Sequence, residues 1–185
     1  MHASSEQIFG LICGLGRCAD KKFLVTHKPK LLCLIQCTGE VRGIAQLGTE
    51  LFVCTWCSDR VAVYDLNTYN KTRHVIVPGM SVPRGLAACK QNNCLYISDK
   101  GSKCIYRVDL SNSSCSKWSL NADPRGVSVS KAFNLLVTLP QSIEEYTTSG
   151  SLIRSIKLDV SIDNLEHSFE LTNGQFVVSH GGWYI

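Results

Sequence analysis

"SVPRGLAACKQNNCLYISDKGSKCIYRVDL", residues Ser81 to Leu110, decides how the rest of the chain is read. It opens on a Pro-Arg-Gly turn. Short runs rich in β-branched and aromatic residues follow, separated by Lys90-Gln91-Asn92-Asn93 and by Gly101-Ser102. Runs of this kind bounded by Gly, Asn and Ser predict β-strands joined by tight turns. Cys89 precedes the first loop and Cys94 follows it, so the two should face each other across a hairpin. Opposed residues on antiparallel strands have Cα atoms about 4.5–5.5 Å apart, within reach of a disulfide. Two readings stay open for this pair: a disulfide in an oxidising setting, or two small buried thiols in a reducing one. Zinc ranks below both.

The stretch is one copy of a repeat. Arg84-Gly85 has counterparts at Arg42-Gly43 and Arg125-Gly126, at spacings of 42 and 41 residues. Alternating apolar residues follow each pair. A fourth, degenerate copy begins at "HSFELT", where Ser168 stands 42 residues after Gly126. A second block recurs as "ELFVCTW", "CLYISDK", "NLLVTLP" and "QFVVSHG", and a third as "RVAVYDL", "CIYRVDL" and "SIEEYTT". A fourth closes each unit as "TRHVIV", "SKWSL" and "LIRSIKL". No stretch sustains a helical period. Four strands in a unit of about 42 residues predict an all-β chain of four-stranded antiparallel blades, a β-propeller. About four blades are expected, in an incomplete six-bladed ring: a partial or degenerate blade over 1–42, blades over 43–83, 84–124 and 125–166, and the start of another over 167–185. All would belong to one propeller domain.

Composition agrees with a folded chain. Of 185 residues, 44% are hydrophobic and 18% charged, which suits a globular core and excludes disorder. The net charge of +4 is too mild to call for nucleic acid or an acidic membrane. Lys21, Lys22, Lys28 and Lys30 read as a solvated edge. The best apolar run, Ile8 to Leu15, is too short to span a bilayer, so no membrane partner is expected. The N-terminus lacks signal-peptide features, which favours the cytoplasm unless the chain is a fragment. The ten cysteines and the sequons at Asn70 and Asn112 leave the compartment open.

Pro83-Arg84-Gly85-Leu86-Ala87, Leu95-Tyr96-Ile97-Ser98-Asp99 and Ile105-Tyr106-Arg107-Val108 together resemble the NHL-repeat pattern. The resemblance runs from about Val41 to His180 and is clearest in the second unit. Thr55 stands in the first unit where Asp99 stands in the second, and "NLLVTLP" lacks that Asp. WD40 and Kelch patterns fit worse. The resemblance implies a propeller, commonly six-bladed, that serves as a platform for proteins and in some members RNA. Tripartite-motif ubiquitin ligases carry such a propeller, and the related SMP-30/gluconolactonase type are metal-dependent lactonases. Six blades at this period need roughly 250 residues. The chain is then a fragment, an incomplete product, or an open arc that missing blades or a second chain would close.

The chemical motifs are weak. Cys13, Cys18, Cys33 and Cys37 have zinc-like gaps, but the sequence between them reads as strands. Cys54-Thr55-Trp56-Cys57 falls on a predicted strand, where residues three apart point to opposite faces. Gly14-Leu15-Gly16-Arg17-Cys18-Ala19 lacks the helix and acidic residue of a dinucleotide site. His180-Gly181-Gly182 has no nucleophile elbow to serve. Glu144 and Glu145 are strand neighbours that cannot act on one bond, and are expected on a solvated face and facing a loop. A lactonase site would draw on Asp99, Asp123 and Asn164.

The sequence therefore predicts a non-catalytic scaffold for a protein partner, with no cofactor and no metal. Its binding face would be lined by the loops Met80–Arg84 and Asn121–Arg125, with Arg42, Arg84 and Arg125 as a basic ring. The plainer alternative is that each Arg caps a loop through backbone carbonyls. The runner-up functions are a metal-dependent lactonase and RNA binding through the basic face.

Overall fold

The structure, a computed structural model, describes residues 35, 37–158 and 165–180. The chain divides into a unit Met1–Glu40 and a unit Val41–Ile185, and the second is the subject below. The expected blade over 1–42, the zinc-spaced Cys13, Cys18 and Cys33, the Gly14–Ala19 turn, Asn164 and Gly181-Gly182 all lie wholly or largely outside the described residues.

The described residues hold fourteen strands and no helix. The first sheet is β1 (Val41–Leu47), β2 (Glu50–Thr55), β3 (Arg60–Asp65) and β4 (Lys71–Ile76). The second is β5 (Pro83–Cys89), β6 (Cys94–Asp99), β7 (Cys104–Asp109) and β8 (Cys115–Ser119). The third is β9 (Val127–Val129), β10 (Leu135–Thr138), β11 (Ser142–Tyr146) and β12 (Leu152–Lys157). Two further strands, β13 (Leu165–Glu170) and β14 (Phe176–His180), form a fourth sheet. Each sheet is an antiparallel meander in chain order.

Local chemistry explains the strands. β6 and β7 alternate strictly. Leu95 and Ile97, with Cys104, Tyr106 and Val108, face the first sheet. Cys94, Tyr96 and Ile105 face the third. A sheet buried on both faces reads as a nearly continuous apolar run, and every residue of β6 is buried. The fourth strands lie at the periphery: β4, β8 and β12 are mostly exposed.

The Arg-Gly repeat marks where successive sheets touch. A Cβ on Gly43 would lie 2.7 Å from Leu86 N, and one on Gly85 would lie 2.9 Å from Val127 N. One on Gly126 would meet the Glu166 carbonyl oxygen at 2.7 Å. Only glycine lets the first strands β1, β5, β9 and β13 approach this closely, side by side at the hub. Blades radiating from adjacent first strands make a β-propeller arrangement. Among the described residues the sheets do not close into a ring.

The fourth copy is registered differently from the spacing argument. β1 and β5 each carry a bulge just before the glycine, between Val41 and Gly43 and between Pro83 and Gly85. β13 carries the same bulge between Leu165 and His167. His167, not Ser168, therefore occupies the glycine position, and Glu166 stands where Arg42, Arg84 and Arg125 stand. Bulges shift register by one residue, and a count along the chain does not register that shift.

Candidate functional site

The three arginines begin at one end of the hub. Arg42 and Arg84 are the bulged residues of β1 and β5. Arg125 precedes β9, its N–H donating to the Thr138 carbonyl at 2.8 Å. A bulge re-aims its side chain away from the regular alternation of the strand. The loops joining one blade to the next and the β2–β3 and β6–β7 turns lie at the same end.

The second inter-blade loop is held by Asp99. This carboxylate is fully buried and accepts hydrogen bonds from the N–H groups of Val82 at 2.7 Å, Ser81 at 2.9 Å and Gly101 at 3.0 Å. A buried carboxylate satisfied by three backbone donors clamps a loop in place. Its lone pairs are thereby spent on structure. Asp123 forms an ion pair with Lys103 at 3.3 Å. Among the described residues no group of three His, Cys, Asp or Glu side chains converges as a metal site.

The arginines divide into a pair and a third. The guanidinium carbon of Arg42 lies 4.4 Å from the centre of the Trp56 ring, and that of Arg84 lies 5.4 Å from it. Each contact is a cation–π attraction of about 0.5–1 kcal/mol at an exposed site. The two charges are at most about 10 Å apart, where they repel by roughly 0.4 kcal/mol in water and about 1.7 kcal/mol at an effective dielectric of 20. Trp56 keeps 39% of its surface exposed. Arg125 instead turns to Glu166, with Nη1 3.5 Å from the carboxylate and its side chain 17% exposed. The geometry is thus a basic, aromatic-centred pair beside a neutralised third position, rather than an even ring.

Trp56 was not singled out by sequence reasoning, which placed Cys54-Thr55-Trp56-Cys57 on a strand. β2 ends at Thr55, and Cys57 turns the chain with a φ of 53°. Cys54 is buried, Cys57 is exposed, and the two do not form a knuckle. Burial pushes the Cys54 thiol up to about 12. The available signal was position: Trp56 stands where the second blade has Lys100, on a turn, where a large aromatic side chain has no core to fill.

Cys89 and Cys94 are directly paired in register at the end of the β5–β6 hairpin. Both are buried and both are thiols in this structure. The Cys94 thiol donates to the Asn92 carbonyl at 3.1 Å, and burial raises its pKa. Glu144 and Glu145 do point to opposite faces, but the expected environments differ from those found. Glu145 is buried, held by Arg154 Nε at 2.7 Å and Asn134 Nδ2 at 2.8 Å. Glu144 accepts from the Tyr146 hydroxyl, and burial together with this bond pushes the Tyr146 pKa up. An ion pair and an amide make the Glu145 site tolerable, where a lone carboxylate would have stayed in water.

No protein-family model and no curated protein matches the sequence. Solved structures do match in fold. Hydrazine synthase of Kuenenia stuttgartiensis is similar with a TM-score of 0.65 and 20% identity, over 75% of this chain and 41% of that one. A streptogramin B lyase structure, a β-propeller, is similar with a TM-score of 0.66 and 11% identity, over 77% of this chain and 48% of that one. The chain spans less than half the length of either. At these identities the likeness is one of fold: this chain has an all-β, propeller-like fold.

Proposed function

We propose that this propeller unit is a non-catalytic binding module that takes a protein partner at the hub end, around Arg42, Trp56 and Arg84. One observation carries the reading: a large aromatic side chain is exposed there between two arginines. Trp and Arg are the residue types that most often anchor protein interfaces. The rigid first strands and the Asp99 clamp hold the group on a preorganised frame, which lowers the cost of binding. The NHL-like pattern in the second blade points the same way, and closure by further blades or by a second chain belongs to this reading.

The lactonase alternative has less support. Asp99 is committed to three backbone N–H groups and Asp123 faces Lys103. The deciding experiment uses the full chain as bait in crosslinking mass spectrometry beside Trp56→Ala, with melting temperature as the folding control. The variant should lose specific partners while melting unchanged. An identical partner set would move the site elsewhere. Lactone turnover abolished by a chelator would replace the scaffold with a hydrolase.

A further inference from the structure

We infer that the hub-end site recognises an acidic peptide segment, whose carboxylates engage the Arg42 and Arg84 guanidinium groups while a neighbouring apolar side chain rests against Trp56. This rests on the binding-module reading and names the chemistry of its ligand.

The first reason is charge. Two guanidinium groups share one indole, at 4.4 and 5.4 Å from its centre. They stand no further apart than about one Debye length at 0.1 M salt, so each feels the other. A carboxylate between them relieves that repulsion and gains attraction to both.

The second reason is geometry. A guanidinium set over an aromatic ring keeps N–H donors at its edge, and those donors form a fork that matches a carboxylate. Bonds of this kind are roughly twice as strong as neutral ones. The exposed part of Trp56 adds an apolar contact that a free inorganic anion would not use.

The third reason separates a peptide from RNA. Single-stranded nucleic acid binds by stacking bases on open aromatic faces along a basic track. Here the Trp56 ring already carries two cations. The track also stops at Arg125, because Glu166 occupies the fourth equivalent position and takes up that arginine. A peptide carrying two or three carboxylates fits a site of two arginines, and a phosphate backbone finds too few partners.

The experiment titrates the full chain with an N-acetylated hexaglutamate peptide bearing one leucine, followed by NMR of the Trp56 indole N–H. Inorganic phosphate and a six-nucleotide single-stranded RNA are titrated in parallel. The expected result is saturable peptide binding that shifts the Trp56 signal and weakens as salt rises. Arg84→Ala should lower the affinity about tenfold or more. Arg84→Lys, which keeps the charge and loses the fork, should fall between it and wild type, and it serves as the readout if the alanine variant misfolds. Tighter binding of RNA or phosphate than of peptide would overturn the inference. So would peptide binding indifferent to both Arg84 variants. If the Trp56→Ala variant loses its crosslinked partners yet hexaglutamate does not bind, the acidic-ligand inference falls and the binding module stands. If neither occurs, both fall.

Discussion

The second blade and the fourth sheet were built from related sequence, yet they meet opposite fates. β6 is buried along its whole length because one neighbour covers each face. β13 keeps the alternating pattern, but only Leu165 and Ser168 are buried. Phe169 is 44% exposed, and its cross-strand partner Val177 is 40% exposed. The contacts between sheets differ too. The first three sheets meet through aliphatic and aromatic clusters. The third and fourth meet partly through hydroxyls, with Thr138 Oγ1 2.7 Å from Ser168 Oγ and Ser128 Oγ donating to the Ser168 carbonyl at 2.7 Å. An apolar strand residue therefore contributes to stability only where a second sheet removes it from water.

That contrast can be broken most directly by truncating one residue from each region. Ile97→Ala should cost about 2–5 kcal/mol in urea unfolding, because it leaves a cavity between two sheets. Phe169→Ala should change stability by less than about 0.5 kcal/mol, as an exposed surface substitution does. Equal effects would mean that Phe169 is covered in solution, by a further blade or a second chain.

The hub gives a sharper version. Gly85→Ala should destabilise by about 1–3 kcal/mol, since its Cβ would sit 2.9 Å from Val127 N and neither strand can retreat alone. His167→Ala, at the matching position of the sheet that nothing further covers, should be near neutral. A measured cost for His167→Ala as large as that for Gly85→Ala would show that the fourth sheet has a neighbour of its own.

The smallest effect separates two cysteines of the first blade. With Ellman's reagent at pH 8, exposed Cys57 should react readily and buried Cys54 only through unfolding. The Cys54 pKa is raised from 9.0 to about 12, so the folded state holds this proton more tightly than the unfolded chain. Its contribution to stability is complete below about pH 9 and is lost as pH rises toward 12. Melting temperature should therefore fall over that window in wild type, and less steeply in Cys54→Ala. Parallel curves would remove the burial argument for this side of the first sheet.

Much of this was legible in the chain. The Arg-Gly spacing located three first strands, and the Cys89–Cys94 register followed from the symmetry of a four-residue loop. Both are local: turn residues and alternation act over a few neighbours. The candidate site was only half legible. Arg42, Arg84 and Arg125 stood out by repetition, but Trp56 occurs once, on a turn read as strand. Glu166 was missed because a bulge moved the fourth copy by one residue. Repetition exposes what is shared between blades, whereas a site is made by what differs.

By itself the sequence determined the four-stranded meanders, their order and the glycines at the hub, because strand alternation and turn chemistry are properties of short segments. Only the tertiary structure decided which faces are covered and where each arginine goes. Arg42 and Arg84 share Trp56, and Arg125 pairs with Glu166, because adjacent blades bring side chains about 40 residues apart within a few ångströms. That placement is a consequence of packing between sheets, which no single segment encodes.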